Sequence, residues 1–153
     1  MARSIHLIVV GKLKDQHFID IEEEYLKRLT LPLTIHELKA KAENKMMEGE
    51  LILKKISELE KDQKSIKIAL TERGIKFHSK SFAEWTSRLI EDGQGKLIFI
   101  ISGAEGFSET VLKNCQFELS LSELTFPHKL ARIILIEQIY RVQTIRTGHP
   151  YHN

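Results

Sequence analysis

Leu97-Ile98-Phe99-Ile100-Ile101 is apolar at every position and runs straight into Ser102-Gly103-Ala104-Glu105-Gly106. A strand with one wet face alternates apolar and polar residues, so an unbroken apolar run predicts a central strand covered on both faces. Such a strand needs helices above and below it, and the rest of the chain is patterned to supply them. Ile5–Val10, closed by Gly11, reads as a second buried strand. Leu33–Leu38 after Pro32, Ile66–Leu70 and the alternating Phe117–Leu121 complete a set of five.

Helical patterns separate these runs. Phe18, Ile21, Tyr25 and Leu29 lie on one helix face, and Leu51, Ile52, Ile56 and Leu59 mark a helix from about Asn44. Ser81 and Glu84 have capping-box spacing ahead of Phe82, Trp85 and Leu89, with Gly93 and Gly95 closing that helix. Ser108 heads a short helix. The longest helix runs from His128 to about Arg146, with Gly148 placed for a C-terminal cap and Pro150 beyond it. The alternation predicts an α/β fold: a mostly parallel sheet of about five strands with helices on both faces. Strand order does not follow from the pattern.

At 153 residues, with three prolines and no repeat or low-complexity tract, the chain is expected to form a single domain over residues 1–153. No apolar run approaches the roughly 20 residues that span a bilayer, and the N-terminus is too short for a secretory signal, so no membrane partner is expected and the cytoplasm is the expected location. The single cysteine, Cys115, excludes an intramolecular disulfide and a cysteine-based metal cluster, and no His/Asp/Glu spacing suggests a metal site. Lys plus Arg number 23 against 21 Asp plus Glu. The small excess falls in residues 122–153, where Lys129, Arg132, Arg141 and Arg146 face Glu123 and Glu137, together with His128, His149 and His152. That end is the expected side of an anionic partner.

The last helix carries apolar residues most of the way round: Leu130, Ile133, Ile134, Leu135, Ile136, Ile139, Tyr140, Val142 and Ile145. It must be covered on two sides, either wholly within its own domain or partly by a second copy of the chain in a two-fold pair. Ligands of parallel sheets bind beyond the carboxyl ends of the strands. Three segments qualify here: Thr71–Gly74, Ser102–Gly106 and Ser122–His128. The glycines permit close backbone approach, but neither the P-loop nor the three-glycine dinucleotide fingerprint is present. On the residues alone these remain either structural turns or a ligand cleft.

The chain resembles the RlmH family, the smallest of the SPOUT-class, trefoil-knotted RNA methyltransferases. The residues that carry the likeness are Val10-Gly11-Lys12-Leu13-Lys14, Tyr25-Leu26-Lys27-Arg28, Ile100 to Gly106, Leu124-Thr125-Phe126-Pro127-His128, Arg132 to Glu137, Tyr140-Arg141 and the ending His149-Pro150-Tyr151-His152. They span the whole chain in order. Ser102 stands where the family often has a second glycine, and Ala104 where it often has proline.

The resemblance implies a SPOUT α/β fold with a C-terminal trefoil knot in about residues 97–148, S-adenosylmethionine as cofactor, and a homodimer paired through the C-terminal helix. It implies methylation of N3 of a pseudouridine in helix 69 of 23S ribosomal RNA, on the assembled ribosome. By motif position, Leu70, Gly103, Ser122, Glu123, Leu124, Thr125, Phe126 and Pro127 would bind the cofactor. The imide proton on N3 must leave as the methyl arrives, which calls for a base or a nearby positive charge. His128, Arg132, Arg141 and His152 are the candidates, with His152 favoured as the base and supplied by a partner subunit; Glu105 is a further candidate. The competing readings are a catalytically silent ribosome- or RNA-binding protein of the same fold and an unrelated α/β nucleotide-binding module.

Overall fold

The computed structural model describes residues 3–42, 44–92 and 95–151. Strand β1 (Ser4–Val10) leads to α1 (Gln16–Arg28), β2 (Leu33–Leu38), α2 (Lys45–Leu59), β3 (Ile66–Ile75), α3 (Ser79–Asp92), β4 (Lys96–Ile101), α4 (Glu109–Lys113), β5 (Phe117–Leu119) and α5 (His128–Thr147). Every strand pairing is parallel, and the order across the sheet is β2-β1-β4-β3-β5. The apolar run that heads the sequence reading is β4, central in the sheet and buried throughout.

Side chains of successive strand residues point to opposite faces, and each face has its own core. Ile5, Leu7, Val9, Ile68, Leu97, Phe99 and Ile101 pack with Phe82, Trp85, Leu135, Ile136 and Ile139, placing α3 and α5 on one side with α1 beside them. Ile8, Val10, Ile98 and Ile100 pack with Ile52, Ile56 and Val111 of α2 and α4 on the other. Each of these fully buried side chains stabilises the fold by about 1.5–3 kcal/mol relative to exposure.

Three local expectations change. Helix α3 begins at Ser79, and the Ser81 hydroxyl donates to the His78 carbonyl (3.0 Å), so the Ser81–Glu84 capping box does not form. Strand β5 stops at Leu119. Strand β3 continues past Leu70 to Ile75 across an irregularity: both Leu70 and Ile75 pair with Leu119, so residues 71–74 bulge out between them. A Cβ on Gly74 would meet the Glu118 carbonyl carbon and Leu119 nitrogen at 2.5 Å, which is why a glycine stands where the bulge folds back on β5.

Helix α5 lies between α1 and α3 over the sheet, and its own domain covers most of its apolar circumference. Leu130, Ile134 and Ile145 remain only half-buried. Its C-terminus is closed by Gly148 in the left-handed conformation (φ 72°), with its N–H on the Thr144 and Ile145 carbonyls. Gly93, expected to help close α3, lies outside the described residues.

Candidate functional site

Strands β4, β3 and β5 are neighbours, so the segments leaving their carboxyl ends form one continuous rim. Between them is a cavity of about 720 Å³, within the ordinary range for small-molecule sites. Leu70 and the bulge residues Thr71, Glu72 and Arg73 form one wall. Residues 102–107 form a second, and Ser120–Ser122 with Leu124–His128 form the third. Leu70, Ile101, Phe107, Leu112, Leu121 and Phe126 give the cavity apolar surface against which a planar aromatic group can pack.

Each wall is held by its own short hydrogen bonds. The Ser120 hydroxyl donates to the Ser122 carbonyl (2.8 Å), and the Ser122 hydroxyl accepts from the Leu124 N–H (3.0 Å). The Thr125 hydroxyl donates to the Glu72 carboxylate (2.9 Å), tying the third wall to the first. In the second wall the Gly106 N–H bonds the Gly103 carbonyl (3.1 Å). A Cβ on Gly103 would lie 2.8 Å from a carboxylate oxygen of Glu48, a buried α2 residue that accepts from the Lys41 N–H (3.1 Å). Glu48 therefore backs the glycine loop from behind. Thr71 lines the cavity, while its hydroxyl is itself buried and has no hydrogen-bond partner among the described residues.

Of the residues expected at a cofactor site, Leu70, Gly103, Ser122, Leu124, Thr125, Phe126 and Pro127 line this cavity, as does His128 at the start of α5. Glu123 is exposed and does not line it. Of His128, Arg132 and Arg141, expected for proton transfer and charge stabilisation, only His128 lines the large cavity; Arg132 borders a small cleft beside it and Arg141 lies apart. Arg132 is 5% exposed, and its guanidinium is committed: Nε and Nη2 donate to Glu22 (2.6 and 2.9 Å), and Nη1 donates to Glu37 (2.7 Å). Burial works to lower the Arg132 pKa, and the two carboxylates outweigh it, so the group is held charged. Burial likewise works to raise the Glu37 pKa, and the Leu13 N–H and Arg132 outweigh it, leaving Glu37 below its ordinary range.

Arg141 lies 13 residues beyond His128 on the same helix, about 20 Å away at 1.5 Å per residue. It pairs with Glu137 (2.8 Å) and stacks over the Tyr151 ring (5.0 Å to the centroid). Tyr151 in turn meets Tyr140 edge-on, and its hydroxyl lies 3.5 Å from that of Tyr25. Burial, followed by the Tyr25 hydrogen bond, pushes the Tyr151 phenol up to about 12. His152 lies outside the described residues. Cys115 packs against the α2–α4 core, and burial pushes its thiol up to about 11, well away from nucleophilic use at neutral pH.

Sequence reasoning passed over Thr71 and Glu48. Glu48 carries a signal: it stands four and eight residues before Ile52 and Ile56, so a carboxylate sits on an apolar helix stripe. Thr71 has none, because its significance depends on the bulge. Among the described residues no group of three His, Cys, Asp or Glu side chains is placed to hold a metal, and no helix is long and apolar enough to cross a membrane.

The sequence profile of a family described as "Predicted SPOUT methyltransferase" matches residues 3–152. The chain is 39% identical to the ribosomal RNA large subunit methyltransferase H of Caldicellulosiruptor saccharolyticus, over 97% of this chain and 99% of that one. It is 36% identical to the protein of the same name from Parabacteroides distasonis, over 97% and 98%. Among solved structures, a probable methylase family protein from Haemophilus influenzae superposes with a TM-score of 0.60 at 11% identity, over 100% of this chain and 72% of that one. The SpoU methyltransferase AviRb from Streptomyces viridochromogenes, in complex with the cofactor AdoMet, superposes with a TM-score of 0.53 at 9% identity, over 94% and 59%. At these identities the structural likeness speaks for the fold.

Proposed function

The chain belongs to the SPOUT methyltransferase family, and from that premise we propose that it transfers a methyl group from S-adenosylmethionine to ribosomal RNA of the large subunit. The finer reading is methylation of N3 of a pseudouridine in helix 69 of 23S rRNA on the assembled ribosome, by a cytoplasmic homodimer. The whole chain would act as one SPOUT domain, with the family's knot in about residues 97–148. The observation that carries the reading is the cavity at the β3–β4–β5 rim: two of the segments that relate this sequence to RNA methyltransferases, Ile100–Gly106 and Leu124–His128, line it.

The residues present suit the cofactor. Leu70, Ile101, Phe107 and Phe126 offer an apolar slot for adenine. Gly103, without a Cβ, lets backbone come close, and the Thr71 hydroxyl, unpartnered among the described residues, would bond the cofactor once the bulge shifts to expose it. When bound, S-adenosylmethionine supplies an electrophilic methyl group on a sulfonium centre. The chain's own work is to align the acceptor, exclude water and deal with the N3 proton.

His128 borders the cavity and is the residue of this chain placed to hold or orient that proton locally. Arg132 works through others: it binds the first turns of α5 to α1 and β2 and so positions His128, without facing the acceptor. Arg141 is too far along α5 to serve the cavity of its own chain, and His152 is expected from a partner subunit. We assign them to the cavity of a second copy, where Arg141 would offset the charge developing on the deprotonated base and His152 would take the proton.

The test has two parts. Calorimetric titration with S-adenosylmethionine should show saturable binding that Gly103→Val abolishes. Mass mapping of large-subunit rRNA from cells lacking the protein should show one missing methyl, restored by adding purified protein and cofactor to their ribosomes. A full methyl complement in those cells, with no incorporation in vitro, would refute the reading; binding without incorporation would indicate a silent RNA-binding relative instead.

A further inference from the structure

We propose that the lysines leaving the carboxyl ends of β1 and β2 (Lys12, Lys14, Lys39, Lys41 and Lys45) form the surface on which the phosphate backbone of the substrate RNA docks. The inference rests on the reading above that the acceptor is RNA, and it adds the side from which that RNA arrives. Val10 and Leu38 are paired in register, and the Gly11 N–H donates to the Leu38 carbonyl (2.7 Å), so the two lysine-bearing segments emerge side by side. Lys45 opens α2 on the same rim. Lys12, Lys14, Lys39 and Lys45 are exposed and Lys41 is half-buried.

None of the five has a carboxylate within ion-pairing distance among the described residues, whereas the arginines of the C-terminal fifth do. Three carboxylates on this side have other partners. Asp15 accepts from the His17 N–H as the cap of α1, Glu37 holds Arg132, and Glu48 is buried behind Gly103. The five lysines thus make no ion pair among the described residues, and Glu37, whose carboxylate is close enough to feel Lys12, is bound to Arg132. The linear charge excess at the C-terminus is neutralised through space, because Arg132, Arg141 and Arg146 each meet a glutamate.

The surface is continuous with the cavity. Lys12, Lys129 and Arg132 share a small cleft with His128, and His128 also lines the large cavity. Strand β1 lies directly beside β4, whose loop forms the middle wall. A nucleotide placed in the cavity would thus have its neighbouring phosphates over the β1 and β2 ends. Exposed lysines that make no ion pair suit a phosphate backbone, which is bound through charge and counterion release with little demand on geometry. A protein partner would call for an apolar centre; segments 12–14 and 39–41 present none of the large exposed hydrophobic residues, and Met46 and Met47 are exposed beyond Lys45 at the start of α2.

The experiment compares K12Q/K14Q and K39Q/K41Q with the wild-type chain. Binding to, and methylation of, ribosomes from cells lacking the protein are measured across a salt series, with S-adenosylmethionine affinity and Tm measured in parallel. Each lysine lost from a phosphate should reduce the slope of log affinity against log salt by about 0.7–0.9. KM for ribosomes should rise on the order of tenfold or more at 0.1 M salt, while cofactor affinity and Tm stay unchanged. K12R/K14R should behave as wild type. K61Q/K64Q, which removes two exposed lysines from the opposite end of the sheet, should leave the slope unchanged. Unchanged KM and slope in both double variants, with the wild type active, would remove this surface and leave the proposed function standing. An equal change in K61Q/K64Q would reduce it to an effect of overall charge. A wild-type chain that neither binds nor methylates ribosomes would overturn both.

Discussion

The two ends of the sheet are built on opposite plans. At the amino end, Lys67 and Lys96 of the strands are turned inward and matched. Lys96 Nζ donates to the Leu59 carbonyl (2.6 Å) and Asp62 (2.9 Å), and Lys67 Nζ to Glu60 (2.8 Å) and the Ser65 carbonyl (3.3 Å). His6 and His36 lie 3.0 Å apart, nitrogen to nitrogen, with stacked rings. At the carboxyl end the walls enclose a cavity, Leu124 is 72% exposed, and among the described residues the Thr71 hydroxyl has no partner and five lysines make no ion pair. The same strands thus finish in a sealed edge on one side and an unfinished one on the other. Groups satisfied internally hold the fold, and groups left unsatisfied are the ones a ligand can complete.

Removing the Arg132 guanidinium tests the strongest link beneath the open end. Arg132→Ala strands the buried Glu22 carboxylate and should cost about 3–5 kcal/mol, read from urea denaturation. Lys67→Met at the sealed end should cost much less, because Glu60 can turn to water. If the two losses are equal, the contrast in burial is not what matters. Next in size, Gly74→Ala drives a Cβ into the β5 backbone and should cost about 1–3 kcal/mol. It should also weaken S-adenosylmethionine binding by displacing Thr71–Arg73.

A subtler pair of variants compares two orphan hydroxyls. Thr86 on α3 and Thr71 in the cavity wall both lack partners. Replacing either by valine should leave stability unchanged or raise it by about 1 kcal/mol. Only Thr71→Val should weaken cofactor binding, by about fivefold to tenfold in calorimetric Kd, as befits the loss of one hydrogen bond. Equal cofactor affinity in the two variants would take Thr71 out of the site.

The smallest effect concerns pH at the sealed end. Burial, reinforced by His36 and Lys96, brings the His6 pKa down from 6.5 to about 4. Above pH 6.5 His6 is neutral both folded and unfolded, so it contributes no pH dependence there. As pH falls from 6.5 towards 4 the unfolded chain takes up a proton that the folded chain refuses, and stability declines; below about 4 the decline from this group levels off. Urea midpoints over this interval should show that slope in the wild type and a shallower one in His6→Leu.

Legibility follows the same division. The central strand, the five apolar runs and the caps at Asn44, Ser108 and Gly148 could be read because each depends on local periodicity or on a residue's own conformational preference. Layer assignment followed once β4 needed cover on both faces. The Thr71–Gly74 bulge could not be read, since it exists only where β3 meets β5. The role of Arg132 was hidden too: Glu22, Glu37 and Arg132 are separated by 95 and 110 residues in their pairings, and no sequence window contains them together. Charge counting by segment could not show, for the same reason, that Arg132, Arg141 and Arg146 each pair with a glutamate. The covering of α5 was left open by its composition, and α1 and α3 supply most of it.

The length of α5 has a consequence for how activity is shared between copies. Its first turn faces the cavity and Arg141 stands some 20 Å further along it, so one rigid rod separates His128 from Arg141. A chain crippled in the cavity and a chain crippled in the tail should therefore rescue each other when mixed, each mixed pair reassembling one intact centre. Random exchange should recover about a quarter of wild-type turnover from two inactive parents.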